Sequence, residues 1–87
     1  MKSGGFWPFW GHIMTEAAER DIIRHHLAQE RELDAGQRER IAACYLKHMS
    51  AEQAAWRVHL SARTTRMIYY RLAMALVRNA FTGVISS

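Results

Sequence analysis

Two pairs of side chains in this sequence could hold a metal ion or pass a proton. Cys44 and His48 lie four residues apart, which on a helix places both on one face, as two ligands of a zinc ion would be. A zinc site needs further ligands, and no second cysteine or histidine-rich cluster supplies them. His25 and His26 are adjacent and point about 100° apart on a helix, which suits neither chelation nor a relay. We therefore expect a buried cysteine beside a surface histidine, and no metal site.

The sequence offers no catalytic arrangement either. No glycine-rich phosphate loop follows a strand pattern, and no nucleophile lies at a recognisable spacing from a base. We therefore expect that the protein is not an enzyme and that it carries no cofactor.

The charged residues divide the chain into an acidic part and a basic part. Residues 1–36 carry four basic and six acidic side chains, whereas the remainder carries eight basic and two acidic ones, with none acidic after Glu52. A helix surface that only keeps a protein in solution usually mixes both signs. The one-sided run of arginines therefore favours contact with phosphate or with an acidic protein surface, and solvated charge is the alternative.

The main candidates for such a contact lie near the start of the last predicted helix. Residues 67–70 read MIYY, and a helix cannot bury four consecutive large side chains, so at least Met67 or Tyr70 must be exposed. Exposed methionine and tyrosine beside arginine are typical of the centre of a protein-binding surface. The alternative is that they cover a neighbouring helix or a dimer seam. The candidate residues are Arg63, Arg66, Met67, Tyr70 and Arg71, with Arg57 flanking them.

The same helix could instead read DNA. In a major groove, the outward residues of its N-terminal part would reach the bases, and these include Ala62, Met67 and Tyr70. Arg63 and Arg66 could contact guanine edges or phosphates. Arg57 and Arg71 would then flank the phosphate backbone.

The elements that position these residues are helices, because no stretch shows the alternation of a strand. Four residues can cap helix N-termini, two of them with a glutamine three positions later: Thr15, Asp34, Ser50 and Ser61. We predict an all-α fold, a small four-helix domain containing a helix-turn-helix, with helices near residues 15–32, 35–48, 51–58 and 62–80. The last helix should end near Asn79 or Gly83. Helices three and four should cross around His59.

Apolar residues three and four positions apart identify the buried side of each helix. The predicted core consists of Ile22, Leu27, Ile41, Tyr45, Ala55, Val58, Leu60, Leu72 and Leu76. A chain of 87 residues buries only about 60% of the surface that it exposes when unfolded, so its stability should be marginal. A homodimer or a larger partner is therefore a reasonable expectation.

The first residues differ in composition from the rest. We interpret residues 1–14 as a flexible, aromatic-rich N-terminal segment and 15–85 as the domain. The stretch GGFWPFWG makes a poor signal peptide, and Met14 is an alternative start. No apolar run approaches the roughly 20 residues of a membrane span. A single cysteine forms no internal disulfide, which fits a cytoplasmic protein.

The segment from Ser50 to Leu76 resembles the helix-turn-helix of sigma factor region 4 and of LuxR-type activators. In those families a similar Ser-x-x-Glu-Ile-Ala opening precedes a Ser-x-x-Thr recognition helix, and here Ser50 opens helix three and Ser61 opens helix four. Ala55 supplies the small side chain that lets the two helices approach. His59 stands where the families usually have glycine, so a left-handed residue is expected there.

The C-terminal stretch 75–85, ALVRNAFTGVI, resembles the closing motif of the QseM-type antiactivators of rhizobial integrative and conjugative elements. The apolar positions of that motif match in character, while Asn79 and Ala80 replace its two glycines. The resemblance implies a domain that binds transcriptional activators, including LuxR-type quorum-sensing activators, and so represses transfer of the element.

Two functions follow from these observations. The favoured one is an antiactivator that binds a transcriptional activator through the candidate residues. The alternative is a direct DNA-binding helix-turn-helix repressor, which the basic C-terminal part favours.

Overall fold

The fold of the chain is all-helical. The computed structural model describes residues 15–86, and of residues 82–86 the backbone alone; the predicted N-terminal segment 1–14 lies outside this range. The helices are α1 (Glu16–Leu27), α2 (Ala35–Leu46), α3 (Ala51–Val58) and α4 (Ala62–Ser86). No strand occurs among the described residues. The expectation of a small four-helix domain is therefore confirmed.

Each helix begins immediately after the residue that the sequence predicts as its cap. Thr15 Oγ1 accepts a hydrogen bond from the Ala18 amide at 3.0 Å, and Ser61 Oγ accepts one from the Thr64 amide at 3.0 Å. Asp34 and Ser50 both form complete capping boxes with the glutamine three positions on. These bonds satisfy amides that the first turn of a helix leaves unpaired, and each such cap contributes about 1 kcal/mol.

Gln37 connects two helices as well as capping one. Its Oε1 accepts from the Asp34 amide at 3.1 Å, while its Nε2 donates to the Val58 carbonyl at 3.1 Å. The start of α2 is thereby bonded to the last residue of α3.

The ends of α1 and α4 differ from the prediction. The α1 helix stops at Leu27 rather than near residue 32, because the chain turns so that Leu33 reaches the core at 3% exposure. Burial of Leu33 outweighs the helix propensity of the polar residues before it. The α4 helix runs on to Ser86 and passes both Asn79 and Gly83. Asn79 Nδ2 bonds the Ala75 carbonyl of the same helix at 2.8 Å, so this side chain does not stop it.

Histidines end α2 and α3. His48 and His59 have φ of 63° and 60°, in the left-handed region that glycine usually occupies. The left-handed residue expected at His59 is confirmed, whereas the one at His48 was not predicted. The Leu60 amide bonds the Ala55 carbonyl at 3.1 Å, and the chain then enters α4 within three residues. That α3 and α4 cross as a helix-turn-helix stays a prediction.

The core lies where α1, α2 and α3 meet one side of α4. Five of the predicted core residues are buried, namely Leu27, Ile41, Ala55, Val58 and Leu72. The other four, Ile22, Tyr45, Leu60 and Leu76, are half-buried. On α1 the fully buried side chain is Ile23 rather than its neighbour Ile22, so the helix is rotated slightly from the predicted phase. None of the described helices is long and apolar enough to span a bilayer.

Two tyrosines close the core on one side. The rings of Tyr45 and Tyr69 meet edge to face, with centroids 4.9 Å apart. Burial, followed by the nearby Cys44 and Tyr45, raises the pKa of Tyr69 to about 12. Its hydroxyl is buried and has no hydrogen-bond partner among the described residues.

Candidate interaction surface on helix α4

Five of the six candidate residues share one face of α4. Positions 63, 66, 67, 70 and 71 follow the three- and four-residue steps that align side chains on a helix. All five are exposed, and Met67 and Tyr70 keep 49% and 67% of their surface accessible. Ile68, between them, is 2% exposed. The expectation that MIYY exposes Met67 or Tyr70 is therefore confirmed for both.

The sixth candidate, Arg57, lies elsewhere. It is exposed on α3 and lines a groove against α2 together with Arg40, Lys47 and Met49. No residue of α4 lines this groove. The structure therefore separates Arg57 from the five residues on α4.

Two of the α4 arginines have carboxylate partners from other elements. Arg66 Nη1 donates to Glu52 Oε2 at 2.8 Å. Arg71 Nη1 donates to both carboxylate oxygens of Glu30, at 3.0 and 3.1 Å. The hydrogen bond from Arg66 lowers the pKa of Glu52 below its usual value. The basic charge that the sequence indicates is thus partly neutralised on this face.

Arg63 differs from Arg66 and Arg71 in its surroundings. Among the described residues it has no ion-pair partner, and it lies in the first turn of α4. The free positive charge of this face is therefore concentrated at the N-terminal end of the helix.

An apolar stripe continues the candidate face along the helix. Its exposed members, which we call the α4 stripe, are Met67, Tyr70, Met74, Val77 and Phe81. Their spacing is three, four, three and four residues, which is the heptad pattern of a coiled-coil seam. The sequence prediction identified the first two as site residues and missed the last three. Their spacing was a usable signal, but it cannot by itself show which side of a helix is buried.

Shallow grooves border the stripe on the side of α1. Met67 and Arg71 line one of them together with residues 29–32 of the turn after α1. Tyr70 and Met74 line the next one, with His26 on the opposite wall. The stripe therefore stands beside concave surface that a partner side chain could enter.

A second exposed aromatic lies on α3. Trp56 is 85% exposed and lines a groove with Glu52, Leu60 and Ala62. It lies one helical turn after Glu52, the carboxylate that holds Arg66. Trp56 was not among the predicted site residues, although an isolated tryptophan on a short capped helix was visible in the sequence.

The residues considered for metal binding do not come together. Cys44 is buried, while His48 is exposed in its left-handed position. Within the described part of the chain, no group of three or more histidine, cysteine, aspartate or glutamate side chains is arranged to hold a metal ion.

Comparison with known proteins adds no relative. No protein family model, curated protein or solved structure matches this chain.

Proposed function

We propose that this protein is a small transcription-regulatory protein that binds a transcriptional activator through the outer face of α4 and inactivates it. The observation that carries the proposal is the α4 stripe, on which Met67 and Tyr70 are exposed beside arginines. Large apolar side chains that contact nothing favour aggregation, so a continuous exposed row of them marks an interaction site.

The composition of this face favours a protein partner. Tyrosine, methionine and arginine are enriched at the centres of protein interfaces, where a few of them carry most of the binding free energy. Arg66 and Arg71 would have to leave Glu52 and Glu30 before they could bind phosphate fully. A protein partner can instead pack against this face while both arginines keep their ion pairs.

The resemblance to helix-turn-helix families is compatible with this proposal. The two helices α3 and α4 are joined by a turn with left-handed His59, and the same fold can serve docking as well as DNA reading. The predicted resemblance to QseM-type antiactivators supplies the class of partner, a LuxR-type or element-excision activator. Repression of conjugative transfer would follow from loss of that activator.

Direct DNA binding is the second candidate function, and a specific observation favours it. Arg57 and Arg63 have no carboxylate partner among the described residues, and Arg57 shares its groove with Arg40 and Lys47. Unpaired cations of this kind can neutralise phosphates.

The test compares two double variants in a reporter driven by a LuxR-type activator. Met67→Ala with Tyr70→Ala should abolish inhibition, because each interface anchor contributes about 2 kcal/mol or more to binding. The matched control, Arg57→Ala with Arg40→Ala in the groove between α2 and α3, should keep it. Circular dichroism should show the same helix content in both.

Duplex DNA binding at low and moderate salt completes the test. A protein that neutralises several phosphates binds with steeply salt-dependent affinity. If the methionine–tyrosine variant inhibits fully while the arginine variant loses affinity for an operator, the antiactivator proposal is wrong and DNA binding replaces it.

A further inference from the structure

We infer that the α4 stripe also closes on the α4 stripe of a second copy of this chain, so that a homodimer hides the surface that the activator needs. The competition between dimer and activator rests on the proposed function; the dimer itself does not. The inference starts from the length and spacing of the stripe.

The spacing of the stripe is self-complementary. Met67, Tyr70, Met74, Val77 and Phe81 occupy alternating a and d positions over two heptads and the start of a third. When two identical helices meet along such a seam, each apolar side chain fits between side chains of the other helix. A two-fold dimer uses the same patch on both copies, which this stripe provides.

The charges beside the first half of the stripe permit a second copy. Arg66 and Arg71 flank it, and like charges on two copies would repel each other if they were bare. Both are held by carboxylates of their own chain, Glu52 and Glu30. These two flanking arginines therefore do not need an acidic partner, and the unpaired Arg63 lies one helical turn before Met67, at the end of the seam. This is the observation that favours a second copy over an acidic helix of another protein.

The second half of the stripe extends past the core of the domain. Among the residues whose side chains the structure describes, Leu76 is the last hydrophobic residue of α4 that packs against the buried cluster, and the helix continues to Ser86. Val77 and Phe81 lie on this extension and are 61% and 68% exposed. The α4 helix of a second copy would cover these two side chains.

The size of the seam predicts a reversible dimer. Pairing two stripes would bury on the order of 1,000 Å² in total, which is near the lower limit for a specific interface. We expect a dissociation constant of about 10 µM, as for weak and transient complexes. Monomer and dimer would then interconvert as the concentration of the protein changes.

Sedimentation equilibrium over a range from about 1 to 200 µM tests the dimer. The full chain should change from monomer to dimer over this range, and Phe81→Glu should raise the dissociation constant at least tenfold. Phe81 lies beyond the core, so this variant should fold normally. The matched control is Asn79→Glu, which adds the same charge on the same extension but off the stripe, and which should dimerise as the native chain does. The inference is wrong if the native chain is monomeric at every concentration. It is also wrong if Phe81→Glu and Asn79→Glu weaken dimerisation equally.

A cross-link places the contact on the stripe. Cys44 is the only cysteine in the sequence and is buried, so Met74→Cys in a Cys44→Ala background presents one accessible thiol. Under mild oxidation this variant should form a disulfide-linked dimer, whereas Asn79→Cys in the same background should not. Equal cross-linking of the two variants would contradict the inference.

The linked dimer then separates the two proposals. It should fail to inhibit the activator reporter, and reduction should restore inhibition. If the dimer forms but the Met67→Ala and Tyr70→Ala variant still inhibits, the proposed function is wrong while the dimer stands. If inhibition needs Met67 and Tyr70 but no dimer forms, the proposed function stands and this inference is wrong.

Discussion

The two long faces of α4 have the same kind of residues but opposite surroundings. The inner face carries Thr65, Ile68 and Leu72, and all three are buried. The outer face carries the α4 stripe, which is equally regular and is exposed over its whole length. A helix that served only its own core would need one apolar face. The second face therefore points to a contact outside the domain, and four predictions test how different the two faces are.

The largest expected change in the free energy of unfolding comes from truncating a residue of the inner face. Leu72→Ala should lower the free energy of unfolding by about 3 kcal/mol, because Leu72 is fully buried and its truncation leaves a cavity. Val77→Ala, on the outer face of the same helix, should change it by less than about 0.5 kcal/mol. Urea denaturation of dilute protein measures both. Similar losses in the two variants would mean that the outer face is already covered within the domain.

A smaller change in the free energy of unfolding, of opposite sign, is expected at Tyr69, which lies between the two faces of α4. Tyr69→Phe should raise the free energy of unfolding by about 1 kcal/mol, because it removes a buried hydroxyl that has no partner among the described residues. Tyr70→Phe is the control, since the exposed hydroxyl of Tyr70 is free to bond water. A loss of stability in Tyr69→Phe would show that its hydroxyl is bonded in the native protein.

The pH dependence of stability gives an independent check on Tyr69. Tyr69 has a pKa of about 12 in the folded chain against an ordinary value of 10.0, so the unfolded chain ionises first. The free energy of unfolding therefore does not depend on Tyr69 ionisation below pH 10 and falls as the pH rises from 10 towards 12. Tyr69→Phe should therefore lose less stability than the native chain over this interval. Unfolding curves at pH 9 and pH 11 measure the difference.

The smallest effect concerns the turn that sets which face of α4 points inward. His59→Gly should raise the free energy of unfolding by about 0.5 kcal/mol, because glycine adopts a φ of 60° without the steric cost that histidine bears. His25→Gly, inside α1, should lower it by about 0.5 kcal/mol. Thermal unfolding distinguishes the signs. A destabilised His59→Gly would show that the imidazole makes contacts worth more than the relief of strain.

The beginnings of the helices were predictable from the sequence, and some of their ends were not. A cap is a local arrangement, so Asp34 and Ser50 with their glutamines indicate a helix start without knowledge of the fold. The end of α1 depends instead on the burial of Leu33, which only the packed domain determines. Local signals therefore fix where a helix can start, and tertiary packing decides how far it continues.

The candidate site was likewise predictable from the sequence only in part. Four large residues in a row at 67–70 are enough to predict that Met67 and Tyr70 cannot both be buried. The neutralisation of Arg71 was not predictable, because Glu30 lies 41 residues away in sequence. Similarly, the heptad spacing that includes Phe81 is compatible with either a buried or an exposed row. The three-dimensional packing was needed to show that this row is exposed.

The hydrogen bond from Gln37 to Val58 couples the opening of two helix ends. The Gln37 side chain accepts from the amide of Asp34, the N-cap of α2, and donates to the carbonyl of Val58, the last residue of α3, so neither end can open without loosening the other. Helix termini ordinarily fray independently, and their amides exchange with solvent at unrelated rates. Here the start of α2 and the end of α3 form one opening unit, and their amide protons should exchange together.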